Sequence, residues 1–452
     1  MGIPTVTVAT EGFTIMAKSI GEGSGYPNLR VVTYPGVINT HEFDTIRKNV
    51  EKVLVDQIVK ALLEPAKKVR TASTVEREDR EILFSGTLEA VNQFFYENMW
   101  TDGLPIIPPT IKKVEEFLKY TDRSPDEVLG ILPPRHVKAT VWKIAVNGVM
   151  AGCRPEYMPI LLAVVEIMAD PNFGLEHSGS TPGWEAMIIL NGPIRNPLGF
   201  NYQIAVQRPG NQANTSIGRF YRLFLRNVPG FLPGTTDMAT FGHMFRAVVP
   251  ENDETCAEIG WEPLHVLRGF KPEDNVLTIT SIRAISDPFQ TIGEKAERHL
   301  DYIVDWVKRI IEPFEASEQR TESNVVLLSP VVASVIAKGG YSKEDVNRYI
   351  MEHAVIPARE YEWNLAINSP QPVTITDLVK KGVLPKECGK STDPNRMVPI
   401  LLPSSEFLIV VTGDPKRNRN TVYRNNHMQG FATSKKIKLP ANWGKLMADI
   451  RK

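Results

Sequence analysis

The 452-residue chain is poor in the features that several protein classes require. It has three cysteines, Cys153, Cys256 and Cys388, widely separated and never spaced as CxxC. That excludes a disulfide framework and a paired-thiol metal site. Its 52 Lys and Arg are matched by 52 Asp and Glu. The positive excess that neutralises phosphates is therefore missing, and no nucleic-acid partner is expected. No apolar run approaches the ~20 residues of a membrane-spanning helix, so no membrane partner is expected either. The N-terminus has no basic region followed by an apolar core, so no signal peptide is expected. Together these absences predict a reduced, cytoplasmic protein. A GxSxG elbow, the Walker and GxGxxG glycine patterns, and HExxH or HxH spacings are also absent. No serine triad is signalled, no metal ligand is assigned and the cofactor is unknown.

What is present is an ordinary globular composition, 42% apolar and 23% charged, with length enough for two or three domains. Residues 5–9 (TVTVA) and 29–34 (LRVVTY) are apolar, β-branched runs that predict strands, and residues 12–19 predict a short helix. Ile46, Val50, Val53, Leu54, Ile58 and Leu62 recur near helical period over residues 44–63. This β-α-β-α order is the pattern of a parallel sheet covered by helices. Two parallel strands cannot bury both faces alone. Residues 1–65 therefore predict a partial Rossmann-like half-domain, completed by strands from residues 325–328 or 407–411, or by another chain. Its ligand edge would be the carboxyl ends of the strands, near Thr10, Glu11, Tyr34 and Pro35.

Residues 66–80, charged and without large apolar side chains beyond valine, predict a linker. Residues 81–312 predict a central α/β domain. It opens on a helix through Val91, Phe94 and Phe95 and has strands near 186–190 and 275–282. Residues 324–452 predict a smaller C-terminal α/β domain. Its strands lie at 325–328 and 407–411, and its helix over 342–353 is capped by Ser342 with Glu344 and Asp345 in the first turn. The fold class is α/β: an incomplete doubly wound parallel half-domain, a larger α/β core carrying the main candidate site, and a smaller α/β unit.

Three stretches could carry chemistry. In VNGVMAGCRPEYMP, Gly152 suits a helix end and Pro155 the start of the next helix, which wedges Cys153 between them. A thiol at a helix N-terminus has a lowered pKa, so Cys153 is a candidate thiolate; the alternative is an inert core cysteine. In RPGNQANTSIGRFYRLFLRNV, a Gly- and Asn-rich loop leads into a helix capped by Asn214 or Thr215. Its free N–H groups, with Arg219 one turn in, could hold an anion. The densest polar cluster, PGTTDMATFGHMFRAVVPENDE followed by GWEPLHVLRGF, brings Asp237, His243, Arg246, Glu251 and His265 among Gly and Pro turns. His243 and His265 are candidate acid–base groups with Glu251, and Asp237 is a candidate substrate contact. His177 is a weaker candidate of the same kind, and structural histidines are the alternative throughout.

GLPIIPPT, KATVWKIAVNGVMAGCRPEYMPILLAVVEIM, NTSIGR, the DMATFGH run and WEPLHVLRGF resemble the UGSC family, many of whose members are selenoproteins. Family members carry a Sec-Gly-Ser-Cys or Cys-Gly-Ser-Cys motif ahead of a stretch like GIPTVTVATEGF. The chain has no CGSC. The resemblance therefore implies a thiol or selenol theme whose redox pair comes from a separate small subunit, from readthrough of a misassigned stop, or not at all; the small subunit is the leading expectation. That subunit would add its strands beside residues 6–9 to make a hetero-oligomer. The leading expectation is the large subunit of a two-component enzyme, a thiol- or selenol-dependent oxidoreductase acting on a small polar or anionic molecule. Cys153 would be a resolving thiol, His243 and His265 would move protons, and Asn214, Thr215, Arg219 and Asp237 would bind substrate. A lyase or hydratase using His243 and Glu251, and a non-catalytic scaffold subunit, are the other two readings.

Overall fold

The computed structural model describes residues 3–65, 80–243, 248–311, 322–368, 373–426 and 430–450. The predicted β-α-β-α start is present. Strand β1 (Thr7–Thr10), helix α1 (Thr14–Gly23), strand β2 (Val31–Tyr34) and helices α2 (Phe43–Asn49) and α3 (Val55–Leu63) follow in order, with a π-helical turn joining the last two. β1 and β2 are parallel, with Thr7 opposite Val31 and Thr10 opposite Tyr34. Val32, Tyr34 and Leu54 are buried together, with Val6, Ile46 and Ile58 around them. Among the described residues β1 and β2 pair with nothing else. The internal completion expected of residues 325–328 or 407–411 does not occur, because those two segments pair with each other in another sheet. Most of residues 66–80 lie outside the described residues.

The chain continues through α4 (Leu88–Glu97), α5 (Ile111–Leu118), the hairpin β3 (Val128–Leu132) and β4 (Val137–Thr140), α6 (Val141–Met150), α7 (Met158–Met168), β5 (Glu185–Asn191), α8 (Gln212–Asn227), β6 (Val248–Pro250), α9 (Asp253–Glu258), α10 (Leu264–Leu267) and β7 (Val276–Ile282). β8 (Ala284–Ile285), β9 (Phe289–Gln290), α11 (Ala296–Ile310), β10 (Ser323–Leu328), α12 (Pro330–Lys338) and α13 (Lys343–His353) come next. Then come β11 (Val355–Pro357), α14 (Ala358–Asn368), α15 (Ile375–Lys380), β12 (Met397–Pro399), β13 (Glu406–Val411), β14 (Arg419–Arg424), β15 (Thr433–Lys436) and α16 (Trp443–Ile450).

Two mixed sheets form the centre. One has the order β15-β7-β5-β6; the other has β13-β10-β14-β8, with β9 also on β14. The sheets exchange strands across the predicted domain boundary: β15 joins the first sheet beside β7, and β8 and β9 join the second beside β14. Because side chains alternate along a strand, each sheet is buried on both faces. Met187, Ile189 and Val249 of the first sheet meet Val325, Leu327, Leu408 and Val410 of the second in one shared core. Ile188, Leu190, Leu277 and Ile279 pack outward on α6, α7 and α8. Val326, Leu328, Ile409 and Val422 pack outward on α11, α12 and α13. The result is four layers, helix–sheet–sheet–helix. Strands buried on both faces explain the continuous apolar runs AMIIL, VVLL and FLIVV.

Candidate functional site

α8 lines a polar cavity. Its apolar side, including Ile217, Phe220 and Phe224, is buried in the core. Its other side carries Arg219, Arg222 and Arg226, spaced i, i+3 and i+7, which puts all three on one stripe. Each guanidinium is fixed differently. Arg219 donates through Nε and Nη2 to Asp102 at 3.1 and 2.9 Å, and Nη2 also reaches the Pro105 carbonyl at 2.9 Å. Arg222 forks onto the Glu185 carboxylate through Nε and Nη2 and lies 3.5 Å from Asp237 through Nη1. Arg226 donates Nε to the Met99 carbonyl at 2.6 Å, and its Nη groups have no partner among the described residues.

Arg222 and Arg226 line a cavity of about 600 Å³ together with Thr101, Ser178, Glu185 and Asp237. Ser178 is 2% exposed and its Oγ has no hydrogen-bond partner. Met99, also on the wall, has φ of 58°, a left-handed conformation that is uncommon for a side chain of this size. Such strain gathers at functional sites. The outer wall joins two of the loops singled out in the sequence. Met238 N donates to Gly179 O and Thr240 N to Thr181 O, both at 2.9 Å. Gly179 lies so close to Thr236 that a Cβ there would come within 2.0 Å of its carbonyl oxygen, which is why this loop needs glycine.

Of the expected substrate contacts, Asp237 is on this cavity and the α8 residues are not. The cap of α8 is Asn211, whose Oδ1 accepts from Asn214 N at 3.1 Å; the expectation of Asn214 or Thr215 is corrected. Asn214 is buried and ties the preceding loop to β6, donating Nδ2 to Asn201 O and Val248 O and accepting from Asn201 N. Thr215 Oγ1 accepts from Gly210 N at 3.4 Å. Arg219 spends its donors on Asp102 and neighbouring carbonyls, bracing the GLPIIPP turn instead of offering them to an anion. His243 follows the cavity-lining residues Phe241 and Gly242 in sequence. Arg246 lies outside the described residues. His177 gives its backbone carbonyl to Trp184 Nε1.

Glu251 and His265 are elsewhere. Glu251, wholly buried, accepts from Lys343 Nζ at 2.6 Å, Val411 N at 3.0 Å, Leu264 N at 2.6 Å and Asn191 Nδ2 at 2.8 Å. Burial alone would raise its pKa. The Lys343 ammonium and the Leu264 and Val411 N–H groups outweigh burial and hold it below the usual carboxylate range. With four donors and no exposure to water, Glu251 is a structural anion at the junction of the two sheets. Asn191 also binds Asp253, and Asp253 pairs with Arg195 at 3.1 Å. His265 is 1% exposed, and its Nε2 lies 3.3 Å from the Pro272 carbonyl.

Cys153 is not at a helix start. Its N–H donates to Gly148 O, and Gly152 N to Val149 O with φ of 78° at Gly152, which together close the C-terminal turn of α6. Burial pushes the thiol up to about 12, against a smaller opposing effect of Ser216 and Arg219. The expected thiolate is therefore corrected: a helix C-terminus and an apolar surround both disfavour the anion. Burial pushes Cys256 and Cys388 up as well.

At the N-terminal sheet, Thr10 and Glu11 do meet the end of β2. Glu11 Oε2 accepts from Gly36 N at 3.1 Å, and the Tyr34 hydroxyl lies 2.7 Å from His41 Nδ1.

The residues that sequence reasoning missed are Arg222, Arg226, Ser178, Glu185 and Asp102. The RxxRxxxR spacing within GRFYRLFLR carried the signal for the two arginines. Nothing local marks the carboxylates, which arrive from a distant loop (Asp102) and from the start of β5 (Glu185). Among the described residues, no group of three or more His, Cys, Asp or Glu side chains is arranged to hold a metal ion, and no single helix is long and apolar enough to cross a membrane.

Comparison with known proteins gives one match. Residues 1–64 are a UGSC family domain. The motifs from GLPIIPPT onward, which carried the wider resemblance, lie outside that match. No curated protein and no solved structure matches the chain.

Proposed function

We propose that this chain is the large subunit of a two-component enzyme, and that the cavity beside α8 holds its substrate, a small molecule bearing a carboxylate or phosphate. The observation that carries this reading is Arg226. Its Nε is pinned to a backbone carbonyl while, among the described residues, its Nη groups are unpaired and Ser178 Oγ on the same cavity also lacks a partner. A guanidinium held by one edge is pre-organised to fork onto an oxyanion with the other. The neighbouring Arg222 is already neutralised by Glu185 and Asp237, so it tunes the site without dominating it. At least one of phosphate, pyrophosphate and succinate should raise the melting temperature of the wild type, as any ligand selective for the folded state does, and the same concentration should shift Arg226→Gln less. Equal shifts in both proteins would place the anion elsewhere.

The second component rests on a separate observation. Each of the three thiols is buried with its pKa raised, which supports a nucleophile supplied from outside these 452 residues for a thiol- or selenol-dependent step. The two-stranded sheet offers the place. Among the described residues β1 pairs only with β2, which leaves its other edge open, and Val8 on β1 is 49% exposed. An open apolar edge invites strand addition. A small subunit with a CGSC- or UGSC-type motif would deliver its nucleophile beside Thr10 and Glu11. Co-expression of the chain with such a subunit, followed by native mass spectrometry, should give a hetero-oligomer; an unassociated pair would contradict this part of the reading.

A further inference from the structure

A second cavity, of about 930 Å³, lies between the extended segment 80–86 and α6. Its character is opposite to that of the first. Phe84, Phe95, Trp100, Trp142, Val146 and Met150 form its walls. The rings box one another in: Phe84 stacks on Phe94 at 4.7 Å, and Trp100 meets Phe95 edge-on at 5.6 Å. Arg80 lies over the Trp142 ring at 5.2 Å and pairs with Asp126 at 3.1 Å, which fixes the start of the covering segment. The volume falls within the range of small-molecule pockets, about 300–1,000 Å³.

One polar group among these walls is unsatisfied. Asn227, on the last turn of α8, donates Nδ2 to Trp100 O at 3.1 Å and to Asn147 Oδ1 at 2.9 Å. Asn147 in turn donates Nδ2 to Lys143 O at 2.9 Å. Both Asn227 donors therefore meet acceptors, which fixes the orientation of the amide. Its Oδ1 is withdrawn from water and meets no donor among the described residues. A buried acceptor left unpaired costs roughly 1–3 kcal/mol, and a ligand N–H or O–H would recover that.

We infer that this cavity is a binding site for a small, flat, apolar molecule carrying one hydrogen-bond donor, which pairs with Asn227 Oδ1 while its rings lie against Trp100 and Trp142. The aromatic walls select the flat apolar body. The single orphaned acceptor selects a donor over an acceptor or an anion. The site is distinct from the anion cavity, although the two share a wall: Arg226 holds the Met99 carbonyl on one side and Asn227 holds the Trp100 carbonyl on the other.

The test uses 5-fluoroindole as the probe, observed by fluorine NMR with the full chain. The wild type should give saturable binding, and unlabelled indole should compete about 10-fold better than indene, which has the same shape without the N–H. Val146→Trp, which fills the cavity, should abolish binding while the circular dichroism spectrum stays native. No saturable binding by the wild type, or equal competition by indole and indene, would overturn the assignment. So would wild-type binding by a folded Val146→Trp protein. The indole–indene comparison needs no variant, so it decides the matter even if Val146→Trp fails to fold.

Discussion

Lys343 Nζ stands 2.6 Å from Glu251 Oε1, with both side chains shut off from water. The pair links the first residue of α13 to the residue after β6, and through Val411 N and Leu264 N it reaches β13 and α10 as well. It bolts the two sheets together at one end.

Breaking a buried pair on one side leaves an uncompensated charge, which costs about 3–5 kcal/mol. Lys343→Met should therefore destabilise the protein by roughly that amount in urea unfolding. The double variant Lys343→Met/Glu251→Gln should lose less than the sum of the two single changes, by more than about 1 kcal/mol. Strict additivity would mean that the two groups do not interact.

The same pair sets a pH dependence. Glu251 is held below its unfolded pKa of about 4.3, so its contribution is present above that pH and is lost as pH falls through the folded value. Lys343 is desolvated, yet Glu251 holds its pKa above about 10.4. Its contribution is present below that pH and is lost as pH rises through the folded value. Between about pH 6 and 9 the pair adds a constant amount. In Lys343→Met, burial acts unopposed by the ammonium and pushes Glu251 upward. The stability deficit of that variant should narrow between pH 7 and pH 5, and a deficit that is constant or widens on acidification would contradict this.

Cys153 should be inert in the folded protein. With its pKa pushed up to about 12, less than about one thiol in a thousand is ionised at pH 8. Iodoacetamide at pH 8 should leave Cys153 unmodified by peptide mass spectrometry until denaturant is added. Labelling of the native protein within minutes would restore it as a candidate nucleophile.

The open sheet edge makes a prediction about association. Thr7 N–H donates to Arg30 O across the β1–β2 pair, so strand alternation puts the Val8 N–H on the free edge. Val8→Pro removes that donor and should reduce self-association, or capture of a partner strand, in sedimentation velocity. Its melting temperature should stay within a few degrees of wild type. Unchanged association would place the contact elsewhere.

Much of this architecture was legible in the sequence because the apolar runs are strong. β5, β7, β10 and β13 each announce themselves by apolar runs buried on both faces and β1 and β2 by β-branched runs, and the Ser342–Asp345 cap marks α13 to the residue. β14 (RNTVYR), inside one sheet, and β15 (TSKK), at the edge of the other, are not legible, since their polar side chains hide the pairing. Their pairing is also what knits the two large units together, and no local pattern encodes it. The site was legible only in part. Asp237 was identified by its loop, whereas Glu251 and His265, in the same polar stretch, fold inward to bonded positions. They are near each other in sequence, but β6 and α9 carry Glu251 to the sheet junction and His265 to the start of α10. Cys153 was misjudged because a helix end and the next helix start adjoin there, and the Gly152 turn decides which one the thiol belongs to.

The most direct test of the account is isothermal titration calorimetry of the wild type and Arg226→Gln with phosphate, pyrophosphate and succinate, at constant ionic strength. A charge-assisted hydrogen bond contributes about 1.5–3 kcal/mol, so the account predicts saturable binding of at least one of these anions to the wild type. Affinity should fall about 10- to 100-fold in Arg226→Gln, recover in part in Arg226→Lys, and drop more modestly in Ser178→Ala, all with native melting temperatures. No binding of any of the three by the wild type, or equal affinity in wild type and folded Arg226→Gln, would contradict it.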